Sequence, residues 1–158
     1  MTLEVPRPVG QDDAGPCRVL VRSTLDGTAY LGRIEELLGE AERGGAECRA
    51  LVVRRGEAAA ALALFGPVAG SRGAWHLRTL LIDPRVDSRA VGRTMIEAAL
   101  QVAASGGARL LMAELPADPV MGRSLSLLRA SGFRQEARVP DFYRDGVALL
   151  FLRRDVPA

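Results

Sequence analysis

LLIDPRVDSRAVGRTM, residues 80–95, is the stretch from which the fold of this 158-residue chain is read. It begins inside an apolar run, Trp75 to Ile82 (WHLRTLLI), which has strand character and is closed by Asp83-Pro84, a turn signal. From Val91 to Ala104 the spacing becomes helical. Met95, Ala98 and Val102 share one face, and Arg93, Glu97 and Gln101 line the opposite one. A strand that passes through a short loop into a helix makes an anion trap, because first-turn amides lack partners and carry the positive end of the dipole. Small residues at Ser88, Ala90 and Gly92 would let a diphosphate approach the backbone, with Arg89 and Arg93 bracketing the turn. The same segment also reads as an ordinary strand-to-helix turn with solvated arginines.

Working outward, residues 1–15 read as a flexible leader rich in Pro, Gly and Asp, and residues 16–158 as one domain. Cys17 to Arg22 (CRVLVR) reads as a first strand, and Asp26 to Ala41 as a helix with Tyr30, Ile34, Leu37 and Ala41 on its stripe. Gly44-Gly45 stops that helix. Cys48–Arg54 and Ala58–Phe65 form a hairpin about Arg55-Gly56. Beyond the central helix, Arg109–Leu115 is a buried strand. Asp118 and Pro119 then open a helix striped by Met121, Leu125 and Leu128 and capped by Gly132-Phe133. Strands near Gln135–Val139 and Val147–Arg153 flank a loop at Pro140–Gly146. Strand runs mixed with crossovers predict an α/β fold, an α+β mixed sheet with helices on both faces.

Composition narrows the function. The net charge is only +2, so neither nucleic acid nor a membrane surface is demanded as a partner. All 21 basic residues are arginine, which excludes lysine Schiff-base and P-loop lysine chemistry. The longest apolar run, Ala58 to Phe65, is too short to span a bilayer, and the N-terminus has no signal-peptide core. Cys17 and Cys48 are far apart and His76 is the single histidine, so no metal site is expected. Two buried thiols suit a cytoplasmic protein.

The 80–95 stretch resembles the acetyl-CoA signature of the GNAT superfamily of N-acetyltransferases, a strand followed by V-x-P and then R/Q-x-x-G-x-G/A. Ile82-Asp83-Pro84 stands for V-x-P, and Asp87-Ser88-Arg89-Ala90-Val91-Gly92 fills the six-residue loop. Asp87 replaces the usual Arg or Gln, and Ala90 replaces the first Gly. Phe65-Gly66-Pro67-Val68 and the ending GFRQEARVPDFYRDG (residues 132–146) are also similar to a bacterial GNAT subgroup, so the likeness runs from Arg49 to Asp155. It implies about seven strands in a partly antiparallel sheet, acetyl-CoA as acyl donor, a small-molecule amine or amino acid as acceptor, and a homodimer. It assigns cofactor binding to Leu80, Leu81, Ile82, Asp87, Ser88, Arg89, Ala90, Val91, Gly92, Arg93, Thr94 and Leu128. The backbone near Leu80–Ile82 would stabilise the thioester oxygen.

An alkyl amine with a pKa near 10.4 is neutral in only about one molecule in ~2,500 at neutral pH, so a base is needed. His76, six residues before Ile82 where relatives carry a glutamate, is the first candidate, and Glu114 is the second. The tyrosine that GNAT proteins often place near the CoA sulfur falls at Leu128, and their frequent asparagine falls at Met121. Tyr143 stands in as proton donor, as part of the acceptor pocket, or as a packing anchor beside Phe142. Glu114, Asp118, Asp141 and Asp145 favour a cationic acceptor if they line the cleft. Asp87, Met121 and Leu128 also motivate the alternative of a catalytically weak or inactive acyl-CoA-binding or regulatory module.

Overall fold

The computed structural model describes residues 2–157. Strands β2 (Arg49–Arg55) and β3 (Ala58–Pro67) are apolar on both faces because both faces are covered. Ala50, Val52, Leu62 and Leu64 pack under helices α1 (Ala14–Leu25) and α2 (Leu31–Glu42). Leu51, Val53, Ala61, Ala63 and Phe65 pack under α3 (Ser88–Ser105) and α4 (Gly122–Ala130). The remaining strands are β1 (Arg7–Pro8), β4 (Ala74–Ile82), β5 (Leu110–Pro116), β6 (Arg134–Arg144) and β7 (Val147–Asp155). They form a seven-stranded sheet in the order β1-β2-β3-β4-β5-β7-β6, parallel only between β4 and β5. The expected mixed sheet with helices on both faces is therefore present.

The N-terminal third departs from expectation. Cys17–Arg22 is not a strand but lies within α1, because the buried set is Cys17, Leu20, Val21 and Leu25, a helical spacing, while Val19 is 67% exposed. In the leader expected at residues 1–15, the described residues are tied to the sheet rather than loose. Leu3 bridges Arg55, Arg7–Pro8 pair with β2, and buried Asp13 takes the Arg7 and Arg54 guanidiniums and the Gly10 amide. The helix expected from Asp26 starts only at Leu31, after a turn. The loop expected at Pro140–Gly146 belongs mostly to β6. Asp141 there adopts a positive φ of 54° and its carboxylate accepts the Gly146 amide at 2.8 Å.

Other local signals act as read. Gly132 (φ 88°) lets the Phe133 amide reach back to the Leu128 carbonyl at 3.0 Å and close α4. At the end of β4, the buried Asp83 carboxylate accepts the Arg85 amide and guanidinium, which holds it below the usual carboxylate range and turns the chain towards α3. No helix is long and apolar enough to cross a membrane among the described residues.

Two features of β4 open space beside the sheet. Leu64 pairs with Thr79 and Phe65 with Leu77, so Arg78 is an extra residue bulged from the ladder. The bulge switches the alternation: Trp75 and Leu77 face α3 before it, and Leu80 and Ile82 face α3 after it. Pairing of β4 with β5 covers only Ala74–Leu77 against Leu110–Ala113. Past Leu77 the two parallel strands part.

Candidate active site

A cleft of about 330 Å³ opens where β4 and β5 part, on the α2 side of the sheet. Beside its apolar residues, His76, Arg78 and Thr79 of β4, Glu114 of β5, Tyr143 of β6, and Tyr30 and Arg33 from the α2 end form its polar wall. His76, Glu114 and Tyr143, singled out separately in the sequence, thus share one cavity. Arg78, Thr79, Tyr30 and Arg33 were not anticipated. The bulge explains the first two, since it lets neighbouring residues of one strand face the same space.

Burial, with help from the Arg78 charge, pushes the His76 pKa down to about 4. The imidazole is neutral at physiological pH, and its Nε2 is buried without a hydrogen-bond partner among the described residues. Among the described residues, Arg78 Nε is also buried and unpartnered, and no carboxylate pairs with this guanidinium. Burial, then the charge of Glu114 and the Tyr30 phenol, raises Tyr143 to about 12. Tyr143 packs edge-on against Tyr30, with ring centroids 5.8 Å apart. The Tyr30 hydroxyl donates to Asp118 at 2.9 Å, and Arg144 bonds both groups, at 3.1 and 2.9 Å. That triad pins the α2 entry, the turn before α4 and the β6–β7 hairpin around the mouth.

The acids expected to attract a cation are placed differently. Asp118 caps Val120 and is neutralised by Arg144, and Asp141 is committed to its hairpin. Of the four, only Glu114 lines the cleft.

A second cleft of about 290 Å³ continues along β4, bounded by Leu81, Ile82 and Pro84, by Ser23 and Thr24 of α1, and by Arg123 and Ser124. Ser124 Oγ donates to the Leu80 carbonyl. A residue's N–H leaves a strand on the same edge as its C=O, so the Leu80 amide points into the gap towards α4. At the start of α3, a third depression is lined by Asp87, Arg89, Ala90, Arg93 and Thr94. Asp87 is the N-cap residue, and its own carboxylate accepts the Arg89 and Ala90 amides at 3.0 and 3.4 Å.

Three expected cofactor residues turn inward. A Cβ on Gly92 would stand 2.5 Å from Leu127 and 3.0 Å from Ile82, so close packing of α3 requires a glycine here. Val91 and Leu128 are buried in the same core, and Leu128 is only 1% exposed. Helical periodicity places both on the buried faces of their helices.

No family model matches the sequence, and no curated protein sequence matches it significantly. Solved structures match along the whole chain. A protein of the GNAT acetyltransferase family from Desulfovibrio desulfuricans superimposes with a TM-score of 0.86 at 24% identity, covering 99% of this chain and 100% of the other. An acetyltransferase-type protein of Salmonella typhimurium, solved with its cofactor acetyl-CoA, gives 0.73 at 16% identity over 99% and 95% of the two chains. An aminoglycoside 6'-N-acetyltransferase from Enterococcus faecium gives 0.77 at 11% identity over 98% of each. The chain has the GNAT fold.

Proposed function

We propose that this protein is an N-acetyltransferase that moves an acetyl group from acetyl-CoA to a primary amine of a small molecule or amino acid. The observation that carries this reading is the parting of β4 from β5 after Leu77, which bares one edge of β4 between the His76 cleft and the α3 N-terminus. The gap fits an elongated thioester: an amide at Leu80 for the carbonyl oxygen, the Ser23–Ser124 cleft for the arm, and Arg89, Ala90, Arg93 and Thr94 at the anionic end. Asp87 alone opposes the fit, because its carboxylate holds two of the amides a diphosphate would use.

When bound, acetyl-CoA supplies an acyl carbon that the amine nitrogen captures and a sulfur that departs with the electron pair, leaving the amine's proton for the protein to take up. His76, neutral and with an unfilled Nε2, is positioned to receive that proton. With a pKa near 4 it does not store it, so the proton passes on to water. Tyr143, held near 12, orients groups through its hydroxyl rather than releasing a proton to a thiolate of much lower pKa. The triad of Tyr30, Asp118 and Arg144 keeps Tyr143 over the cleft.

This reading includes a cytoplasmic setting, which suits the free, buried Cys17 and Cys48, and a homodimer. The test is release of CoA thiol from acetyl-CoA across a panel of amines, alongside the melting temperature with and without acetyl-CoA. Turnover supports the proposal. Stabilisation of several kcal/mol at saturating ligand without turnover makes the protein a binding module instead, and absence of both removes either role.

A further inference from the structure

The proposed transfer leaves the acceptor's chemistry open, and the charges of the cleft narrow it. Building on that reading, we infer that the acceptor is a zwitterion, an α-amino acid or close analogue whose carboxylate is held by Arg78 while its amine faces His76 and Glu114. Arg78 is the bulged residue of β4, and the bulge aims it into the cleft. Its Nε is buried with no acceptor, and no carboxylate of the described chain pairs with it. Desolvated donors of this kind are normally satisfied, so an anion bound in the cleft would complete the hydrogen bonding of Arg78. A guanidinium fork matches a carboxylate with two parallel hydrogen bonds.

The charge balance of the wall points the same way. Arg78 and Arg33 supply two cations, and Arg33 is shared with Glu36 at 3.2 Å. Among the described residues, Glu114 is the one carboxylate lining the cavity. A polycation would meet two like charges and a single partner. A simple amine would fill the Glu114 end and leave Arg78 unsatisfied, whereas a zwitterion answers both ends at once. On one strand face, side chains two residues apart stand roughly 7 Å apart, so His76 and Arg78 bracket a molecule with an amine and an acid at neighbouring carbons. Ile34, Leu37 and Met121 offer an apolar wall to the acceptor's side chain, and about 330 Å³ admits a molecule of amino-acid size.

The test compares each L-α-amino acid with its own carboxamide on CoA-saturated protein, first by thermal shift and then by thiol release. At least one amino acid should raise the melting temperature by several degrees while its amide does not, and it should be acetylated with at least a tenfold lower KM than the amide. Arg78→Gln should erase that preference by raising the KM of the amino acid at least tenfold, and Arg78→Lys should restore part of it. Binding of an amino acid without acetyl transfer would leave this inference standing and remove the enzymatic reading. Equal responses to acid and amide, a preference for spermidine or an aminoglycoside, or no response to any amino acid overturns the inference. The comparison of acid with amide uses the unaltered protein, so it decides the matter even if an Arg78 variant fails to fold.

Discussion

The two ends of the gap along β4, the His76 cleft and the depression at the start of α3, treat their polar groups in opposite ways. At the inner end, His76 Nε2 and Arg78 Nε are buried with no partners. At the outer end, the first-turn amides of α3, which any helix leaves unpaired, already have one in the Asp87 carboxylate. An unpaired buried polar atom costs free energy until something binds it, whereas a capped helix is at rest. A ligand at the inner end therefore completes bonds, and an anion at the outer end exchanges places with one the protein supplies itself. Two sites of similar size are thus biased in opposite senses before any ligand arrives.

The largest expected effect sharpens the inner end of that contrast. Because the folded His76 pKa is depressed to about 4 from an ordinary value of 6.5, its contribution to stability is complete above pH 6.5 and is lost as the pH falls towards 4. Denaturant unfolding should lose about 3 kcal/mol across that window, at roughly 1.36 kcal/mol for each pH unit between the two values. Most carboxylate losses fall below pH 5, so the slope between pH 6.5 and 5 belongs to His76. His76→Gln should be flat there; an unchanged slope in that variant would show that the histidine is solvated. Next in size, His76→Ala should lower kcat/KM for the amine roughly 100-fold, read by thiol release, with the CoA dissociation constant unchanged. Equal loss of CoA affinity would mean that the two ends are one site.

What the sequence disclosed falls along the same division. The outer end lies on contiguous residues, 80–95, so a strand, a turn and a helix start could be read in line. The inner end joins Tyr30 and Arg33 to His76, Glu114 and Tyr143, and only folding brings those together. The Arg78 bulge left no mark, since WHLRTLLI has apolar residues on both sides of it and the change of face is defined by pairing with β3. Cys17–Arg22 misled because Cys17, Val19 and Val21 alternate like a strand. Reading on to Leu25 supplies the helical set, and exposed Val19 then falls off it. Gly92 was legible as a small residue, but its closeness to Leu127 on another helix was not.

The smallest predicted effects test the outer end. Asp87→Ser keeps an oxygen able to cap α3 while removing the negative charge, so stability should move by only a few tenths of a kcal/mol. CoA should then bind roughly tenfold more tightly by calorimetry, about 1.4 kcal/mol, since Asp87 is exposed and its repulsion of a diphosphate is damped by solvent. Asp87→Ala separates the two roles, because it removes cap and charge together. It should cost about 1 kcal/mol of stability without ligand and gain CoA affinity at least as large as the serine variant. Tighter binding in both variants means that the unaltered chain holds its own anion in the diphosphate's place. Unchanged binding in both would mean that the carboxylate swings aside freely, and the contrast between the two ends would then rest on the inner one alone.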